Sequence, residues 1–335
     1  TILEIMKTLK VSIIVPVYGA EKYIARSAKS LFSQTYSNIE YVFVNDCTPD
    51  KSIDVLRNVI KEFTYREQQI KIIEHFQNGG SASARNTGLH NATGDYLMWV
   101  DADDFLDNDA IQKCVDQIGD ADIITFGVVK HTVRGIIAMA NIVYNNVEEQ
   151  LCGIIKHDCH HGLWGRMYKR EISVKHKISF FDGQNMGEDF QWVVRNFAHS
   201  KKIKIISDAM YHYEFMNEDS IVHKPSFAKK QQAKFNYEIA RKEIYGMSNK
   251  IDKALNIKKA NLLVGLLESC CEGNEGKDIF NSLNSEVSQL SNVAMSAIGI
   301  EHRIMFYIKQ YQIARLYIIV ATIVDNLLKK LRNGK

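Results

Sequence analysis

The chain has 335 residues, 46% of them hydrophobic and 24% charged, so it can form a large packed core and is not a disordered protein. Its formal net charge of +3 is too small to indicate nucleic-acid binding by itself. Its six cysteines include no C-x-x-C pair, which disfavours a zinc site, and we expect free thiols in a reducing compartment.

The first half of the chain alternates strand-like and helix-like segments. Short apolar runs predict strands at 11–15, 39–44, 71–74, 96–100 and 122–128. Between them, apolar residues at helical spacing predict helices at 21–34, 52–63, 81–91 and 108–118. This alternation predicts an α/β fold with a mostly parallel sheet flanked by helices.

The second half is less regular. The pattern weakens between 130 and 160, and such segments often carry specificity loops. A predicted helix at 188–198 and a predicted strand at 203–206 follow, and beyond 226 the pattern is helical. We therefore expect one α/β domain over residues 1–225 and a helical C-terminal region over residues 226–335.

The last segment, 301–335, is basic and apolar, because seven Lys and Arg residues outnumber two acidic ones. Its uninterrupted apolar run at 316–324 is shorter than the ~20 residues that a membrane-spanning helix needs. A helix of this kind suits the surface of an anionic membrane. Packing on the rest of the protein or on a partner chain, including a second copy, explains it equally well.

The sequence W-V-D-A-D-D-F at 99–105 places Asp101, Asp103 and Asp104 directly after a predicted buried strand. Open α/β sheets bind their ligands at the carboxyl ends of strands. Crowded carboxylate oxygens suit a divalent cation that bridges phosphate oxygens. Taken alone, the motif is also explained by an acidic turn that caps the next helix.

Two further groups follow predicted strands. Tyr18, which comes just after Pro16 and the first strand, can lay its ring on a nucleobase. Asp46 follows the second strand, where its carboxylate can accept hydrogen bonds from a uracil imide or a ribose hydroxyl. Ordinary packing for Tyr18 and a nearby helix cap are the alternatives.

Two more groups lie at predicted helix starts. The segment N-G-G-S-A-S-A-R-N-T-G at 78–88 brings small residues to the first turn of a helix, whose N–H groups suit an anionic ligand. In M-G-E-D-F, Glu188 and Asp189 lie where the helix dipole favours the ionised carboxylate. An ionised carboxylate there can act as a general base, and helix capping is the alternative.

Six segments, taken in order, resemble the family-2 inverting glycosyltransferases, which have the GT-A (nucleotide-diphospho-sugar transferase) fold. They are S-I-I-V-P-V-Y, V-N-D-C-T-P-D, N-G-G-S-A-S-A-R-N-T-G, G-D-Y-L-M-W-V-D-A-D-D, W-G-R-M-Y-K-R and G-E-D. The resemblance covers roughly residues 10–220 and is closest to bacterial enzymes that build capsule, O-antigen or exopolysaccharide. It implies an enzyme that moves a sugar, with inversion, from a nucleotide-sugar (a UDP-sugar in first place) to a saccharide or lipid-linked saccharide acceptor.

The resemblance also implies roles for the matching residues. Asp189 is similar to the general base that deprotonates the acceptor hydroxyl. Asp101 and Asp103 match the D-x-D pair, with Asp103 as the more direct ligand of Mn²⁺ or Mg²⁺. Nucleotide contacts are expected for Pro16, Tyr18, Asp46, Arg85 and Asp101, and donor or acceptor contacts for Trp164, Glu188 and Asp104.

The chain departs from the family pattern at 211–220. Many relatives have an Arg-rich segment here, whereas the sequence Y-H-Y-E-F-M-N-E-D-S contains no arginine that could hold the diphosphate. His212 is a candidate additional metal ligand, with a packed or surface histidine as the alternative. The cluster His157, His160 and His161 is expected to be a solvated loop.

Two other functions are weighed against the transferase. A sugar-1-phosphate nucleotidyltransferase would need a Gly-rich N-terminal loop with Arg and Lys, which residues 15–20 lack. A non-catalytic carbohydrate- or partner-binding protein on a decayed transferase fold is the alternative, and the intact aspartates argue against it. Charged residues interrupt the opening apolar stretch, so no signal peptide is expected. We expect a cytoplasmic enzyme that either is free or lies on the inner face of the cytoplasmic membrane.

Overall fold

The chain divides into two compact units, Thr1–His223 and Lys224–Lys335. The computed structural model describes residues 9–133, 135–139, 144–159, 162–215, 226–272 and 277–290, together with 295, 314, 317 and 318. The basic segment predicted at 301–335 therefore lies outside the described residues, apart from three positions, and so do His160 and His161. Within the described ranges, no helix is both long and apolar enough to cross a bilayer.

The first unit alternates strands and helices, as the sequence predicts. Its strands are β1 (Val11–Val17), β2 (Ile39–Asn45), β3 (Ile70–Glu74), β4 (Tyr96–Trp99), β5 (Phe105–Leu106), β6 (Ile123–Thr132), β7 (Gly135–Met139), β8 (Arg166–Lys169) and β9 (Ile203–Glu214). Its helices are α1 (Ile24–Phe32), α2 (Ser52–Glu62), a 3₁₀ helix (Thr64–Gln69), α3 (Gly80–Asn91), α4 (Ala110–Gln117), α5 (Val147–Lys156), α6 (Arg170–Lys175) and α7 (Glu188–His199).

The described strands form one sheet in the order β3-β2-β1-β4-β8-β6-β9-β5, with β7 added beside β6. The pairs among β1 to β4 are parallel, and so is the pair of β6 with β9. The strands β4 and β8, β8 and β6, β6 and β7, and β9 and β5 pair in antiparallel fashion. The sheet is thus parallel in the half that alternates with helices and mixed in the other half.

The core of this unit follows from the burial of the central strands. Nearly every residue of β1 and β2 is buried, as expected for parallel strands covered by helices on both faces. Helix α1 buries Ile24, Ala28 and Leu31, which recur at helical spacing along one side. Because the apolar periodicity matches this packing, the α/β architecture could be predicted from the sequence.

A buried arginine closes the connection between α1 and β2. Arg66, in the 3₁₀ helix, donates hydrogen bonds to the backbone carbonyls of Phe32, Gln34, Tyr36 and Ser37. These carbonyls belong to the last residue of α1 and to the turn after it, where no helix or strand supplies a partner, so the guanidinium replaces the missing partners.

Several elements were not predicted from the sequence. The region 130–160, interpreted as loop-like, contains the end of β6, strand β7 and helix α5. The strand predicted at 203–206 extends as β9 to Glu214. These segments lack a clear apolar period because the described residues of β7 are exposed, and the end of β6 and most of β9 are only partly buried or exposed.

The second unit is helical in its described residues, as predicted. It contains α8 (Phe227–Ile244), α9 (Asn249–Glu272) and α10 (Lys277–Ser288). Helix α9 packs against both α8 and α10. Its core includes Leu263, Leu267 and Phe280, and the buried hydroxyl of Tyr237 donates to the carbonyl of Leu255 at 3.0 Å.

Candidate functional site

Three sequence motifs meet at one edge of the sheet. Strands β2, β1 and β4 are parallel neighbours, so the residues that follow them lie side by side at their carboxyl ends. These residues include Tyr18, whose side chain is half-exposed, Asp46 and Asp101. Pro16 lies within β1 beyond Ile14, the last residue that β4 pairs, where a residue without an N–H group is tolerated.

Asp46 is buried against the start of α3. Its Oδ1 accepts from the backbone N–H of Gly79 and its Oδ2 from that of Gly80, each at 2.8 Å. Its Oδ1 also lies 2.8 Å from Nδ1 of His75, whose Nε2 is 2.8 Å from the hydroxyl of Thr87. Asp46 therefore holds the β2 loop to α3, and His75 is a site residue that the sequence analysis missed.

The first turn of α3 is occupied by protein groups. The N–H of Ala82 donates to Oδ1 of Asn185 at 3.1 Å, beside the two N–H groups bound by Asp46. Gly80 has φ +83, and a Cβ there would lie 2.3 Å from the amide of Asn185, so only glycine fits. The expectation that these N–H groups bind an external anion is corrected, because side chains of the chain itself already accept from them.

Arg85, one turn further along α3, is the centre of a carboxylate cluster. Its Nη1 lies 2.8 Å from Oε1 of Glu188 and 2.8 Å from Oδ1 of Asp189. Its Nη2 lies 3.3 Å from Oδ1 of Asp101. The hydroxyl of Ser81 also donates to Oε1 of Glu188, at 2.7 Å. The guanidinium thus joins the D-A-D-D loop to the G-E-D helix start, a link that no spacing in the sequence indicates.

The electrostatics of this cluster follow from its burial. The side chain of Arg85 is only 9% exposed, and the three carboxylates raise its pKa above the usual value for arginine. Burial raises the pKa of Asp189 to about 7, although Arg85 opposes the rise, and Glu188 and Asp101 add to it. Asp189 therefore titrates near neutrality and is not fully ionised there, because burial outweighs the favourable helix start.

Asp104 lies inside the protein and does not reach the sheet edge. It is 0% exposed, its Oδ2 accepts from the hydroxyl of Tyr211 at 2.5 Å, and its Oδ1 accepts from the N–H of Glu214 at 2.8 Å. Burial, with Asp103 and Asp101 nearby, raises the pKa of Asp104 well above its usual value. The expected donor or acceptor contact of Asp104 is therefore corrected: it anchors the motif to β9.

The D-A-D-D loop is held from two further sides. The hydroxyl of Tyr211 accepts from the N–H of Asp101 at 3.2 Å. Arg26, on α1, donates to the carbonyl of Asp103 at 3.1 Å and pairs with Glu214 at 2.9 Å. These contacts fix the backbone while the carboxylates of Asp101 and Asp103 stay partly exposed. Arg26 is a second basic residue of the site, after Arg85, and the sequence analysis did not identify it.

Trp164 lies beside the cluster. Its ring is stacked on Tyr211 and Tyr213, with centroids 5.5 and 5.2 Å away. The backbone of Leu163, the residue before it, contributes a hydrogen bond that lowers the pKa of Asp189. The W-G-R segment therefore reaches the same place as the G-E-D helix start.

His212 is on the other face of β9, because side chains alternate along a strand and Tyr211 and Tyr213 face the site. Its Nδ1 is 3.0 Å from Nε2 of His131, and its Nε2 is 2.9 Å from Asp107. Its ring is stacked on Phe105. The expected metal ligation by His212 is therefore wrong.

Within the described residues, no group of three or more His, Cys, Asp and Glu side chains is arranged to hold a metal ion. Over these ranges the D-A-D pair thus offers two carboxylates, and further ligands of a bound cation would have to come from elsewhere. Phosphate oxygens and water are suitable partners for hard divalent cations.

Comparisons with known proteins show which sequences are similar to this chain. Residues 12–177 match the family model described as Glycosyl transferase family 2. The chain is 29% identical over 293 residues to the uncharacterized glycosyltransferase EpsJ of Bacillus subtilis (strain 168), and the match covers 83% of each protein. It is 22% identical over 209 residues to the poly(ribitol-phosphate) beta-N-acetylglucosaminyltransferase TarS of Staphylococcus aureus, covering 61% of this chain and 35% of TarS.

Solved structures share the fold. Staphylococcus aureus TarS 1–349 in complex with UDP-GlcNAc has a TM-score of 0.65 at 17% identity, covering 98% of this chain and 93% of that one. The mannosyltransferase PcManGT from Pyrobaculum calidifontis, in complex with GDP-Man and Mn²⁺, has a TM-score of 0.56 at 16% identity, covering 92% and 87%. These likenesses confirm the fold class expected from the sequence.

Proposed function

This chain belongs to glycosyltransferase family 2, and from that premise we propose that it transfers a sugar, with inversion, from a nucleotide-sugar to a hydroxyl of a bacterial cell-surface polysaccharide. A UDP-sugar is the first donor to test, because the structurally similar TarS fragment is known in complex with UDP-GlcNAc. A polysaccharide acceptor is proposed because relatives are named as poly(ribitol-phosphate) transferases and as a minor teichoic acid biosynthesis protein.

The observation that carries this proposal is the cluster around Arg85. One guanidinium contacts Asp101, from the D-A-D-D motif, together with Glu188 and Asp189 from the G-E-D motif. A transferase needs a charged site for the departing diphosphate beside a base for the acceptor. The guanidinium of Arg85 thus holds carboxylates of the D-A-D-D motif and of the G-E-D motif close together. They lie at the sheet edge where ligands bind in such folds.

Asp189 is the proposed general base. Its raised pKa makes it a stronger base than an ordinary aspartate, and its side chain is 26% exposed although Oδ1, which faces Arg85, is buried. It would take the proton from the acceptor hydroxyl while that oxygen bonds to the anomeric carbon. The bond from this carbon to the phosphate oxygen breaks, and the nucleoside diphosphate leaves with the electron pair. The displacement inverts the anomeric centre and forms no covalent bond to the protein.

The donor would lie across the ends of β1, β2 and β4. Tyr18 is exposed enough to stack on a base, and Asp46 fixes the neighbouring loop through Gly79 and Gly80. Trp164 is proposed to contact the sugar or the acceptor from the side of β9. Arg85 is proposed to hold the carboxylates of Asp189 and Asp101 in position, so it supports nucleotide binding indirectly.

Asp101 and Asp103 fit a divalent cation such as Mn²⁺ or Mg²⁺. They supply hard carboxylate oxygens, both are partly exposed, and Arg26 and Tyr211 hold their backbone in place. A cation bound there would neutralise the charge that develops on the departing diphosphate. Asp104 and His212 are excluded from this ligand set by the contacts described above.

The test is nucleotide release from a panel of UDP-, GDP- and dTDP-sugars with Mn²⁺, with and without saccharide acceptors. We expect one donor to be turned over. Asp189→Asn should lower transfer by about 100-fold or more, the usual contribution of a general base, while nucleotide binding persists. Asp103→Ala should weaken the metal-dependent binding of the nucleotide.

Asp208→Asn is the matched control. Asp208 is a half-exposed aspartate on β9 that pairs with Lys113, away from the cluster, and its replacement should leave transfer unchanged. If no nucleotide binds and no donor is turned over, the proposal fails. It also fails in its assignment of the base if Asp189→Asn transfers sugar at the wild-type rate.

A further inference from the structure

Strands β6 and β7 form a hairpin that reaches past the body of the sheet. Strand β8 pairs only with Ile123–Thr125 of β6, whereas β6 continues to Thr132. The seven remaining residues span about 20 Å of extended chain. Along this stretch β6 pairs with β7 on one side and with β9 on the other.

This hairpin points toward the same edge as the proposed catalytic site. Strand β8 is antiparallel to both β4 and β6, so β4 and β6 run in the same direction. Their carboxyl ends therefore lie at one edge of the sheet. The D-A-D-D motif follows β4, and the hairpin is the continuation of β6 beyond that edge.

The hairpin exposes bulky apolar side chains on both of its faces. Val133 is 89% exposed, Ile136 69% and Ile137 52%. Ile136 is paired with His131 and Ile137 with Lys130, so the two isoleucines project to opposite faces. Exposed aliphatic side chains grouped at one end of a sheet mark a contact surface more often than single scattered ones do.

Charge accompanies this apolar surface. Between Asp122 and Glu148 the sequence contains Lys130 and Arg134 and no acidic residue. Lys130 places its Nζ 3.5 Å from the ring centroid of Phe215, a partly exposed aromatic residue at the end of β9. The facing acid on β9, Glu214, is buried and already paired with Arg26.

We propose that this hairpin docks on the surface of an anionic lipid bilayer. Apolar residues with basic neighbours match an interface of acyl chains below anionic headgroups. A second copy of the chain that pairs along β7 is the competing occupant. Docking through the hairpin would turn the catalytic edge of the sheet toward the bilayer, where a lipid-linked acceptor is presented.

The experiment is co-sedimentation of the full chain with vesicles of phosphatidylcholine alone and of equal parts phosphatidylglycerol and phosphatidylcholine. We expect binding to the anionic vesicles that weakens with salt. The double variant Ile136→Asp/Ile137→Asp should lower the partition coefficient by about tenfold or more. Lys130→Gln should lower it to a smaller extent.

Val174→Asp is the matched control, because Val174 is 57% exposed on α6 and equally aliphatic. It should bind vesicles like the wild type. Unchanged nucleotide binding or melting temperature of the hairpin variant shows that it is folded, so vesicle binding is read independently of sugar transfer. Vesicle binding that the hairpin variant leaves unchanged overturns the proposal. The proposal is also overturned if the protein binds neither kind of vesicle. It is overturned as well if the wild type is a dimer and the Ile136→Asp/Ile137→Asp variant is a monomer.

Discussion

Replacing Arg85 by methionine tests how the candidate site is held together. Methionine keeps the apolar stem of the side chain and removes the guanidinium that contacts three carboxylates within 3.3 Å. Removing one partner of a buried ion pair destabilises a protein by about 3–5 kcal/mol, because the other charge stays buried without compensation. Asp101 and Asp189 are partly exposed, so we expect about 3 kcal/mol, toward the lower end of that range.

The stability that is lost in the Arg85→Met variant should depend on pH in a defined direction. Arg85 lowers the pKa of Asp189, so the variant should have an Asp189 pKa above the value of about 7 in the wild type. A carboxyl whose native pKa exceeds its unfolded pKa binds protons preferentially in the native state. Its ionisation therefore destabilises the native state progressively as the pH rises above about 4. The deficit of the variant should be larger at pH 8 than at pH 5.

Urea unfolding at both pH values measures the effect, with Arg57→Met as the control. Arg57 pairs with Glu74 at 3.1 Å, but both side chains are about half exposed, and such a surface pair is worth about 0–1 kcal/mol. If Arg85→Met is no more destabilising than Arg57→Met, the cluster does not hold the site together. A deficit that is equal at pH 5 and pH 8 would refute the role assigned to Asp189.

Two further predictions concern residues outside the reacting groups. Burial alone would raise the pKa of Glu40, but hydrogen bonds from Ser12, Thr93 and Lys10 outweigh it and lower that pKa to about 2. The ionised carboxylate therefore stabilises the fold above the unfolded pKa. This contribution is lost as the pH falls toward 2. Glu40→Gln should lower the free energy of unfolding by about 2–3 kcal/mol at pH 7 and by about half as much at pH 3, as measured by urea titration. Tyr211→Phe removes the hydroxyl that anchors the D-A-D-D loop and should lower stability by about 1–3 kcal/mol. It should also weaken the stabilisation of the protein by Mn²⁺ with UDP, and a thermal shift equal to that of the wild type would contradict this anchoring role.

The alternation of strands and helices could be predicted from the sequence because it depends on the local periodicity of apolar residues. Apolar runs and helical spacing marked the strands and helices of the first half, and strand direction placed the following motifs at one edge. The positions of Asp46, Asp101 and Tyr18 at that edge could therefore be expected. The family resemblance rested on the same local segments.

The direction of individual side chains was decided by tertiary contacts. Asp101 and Asp104 are three residues apart in one loop, yet Asp104 turns inward because Tyr211 and Glu214 lie there, more than one hundred residues later in the chain. His212 faces away from the site because β9 continues regularly from its neighbours.

The role of Arg85 was likewise beyond sequence reasoning. The position of Arg85 on α3 follows from local helical spacing. Its partners come from the loop after β4 and from the start of α7, and only the packed sheet brings them together. The burial that shifts the pKa of Asp189 arises from the same packing. The sequence thus determined which chemical groups this protein has at the sheet edge. The tertiary structure decided which of them remain accessible to a substrate and which serve to hold the others, because burial and charge pairing depend on distant segments.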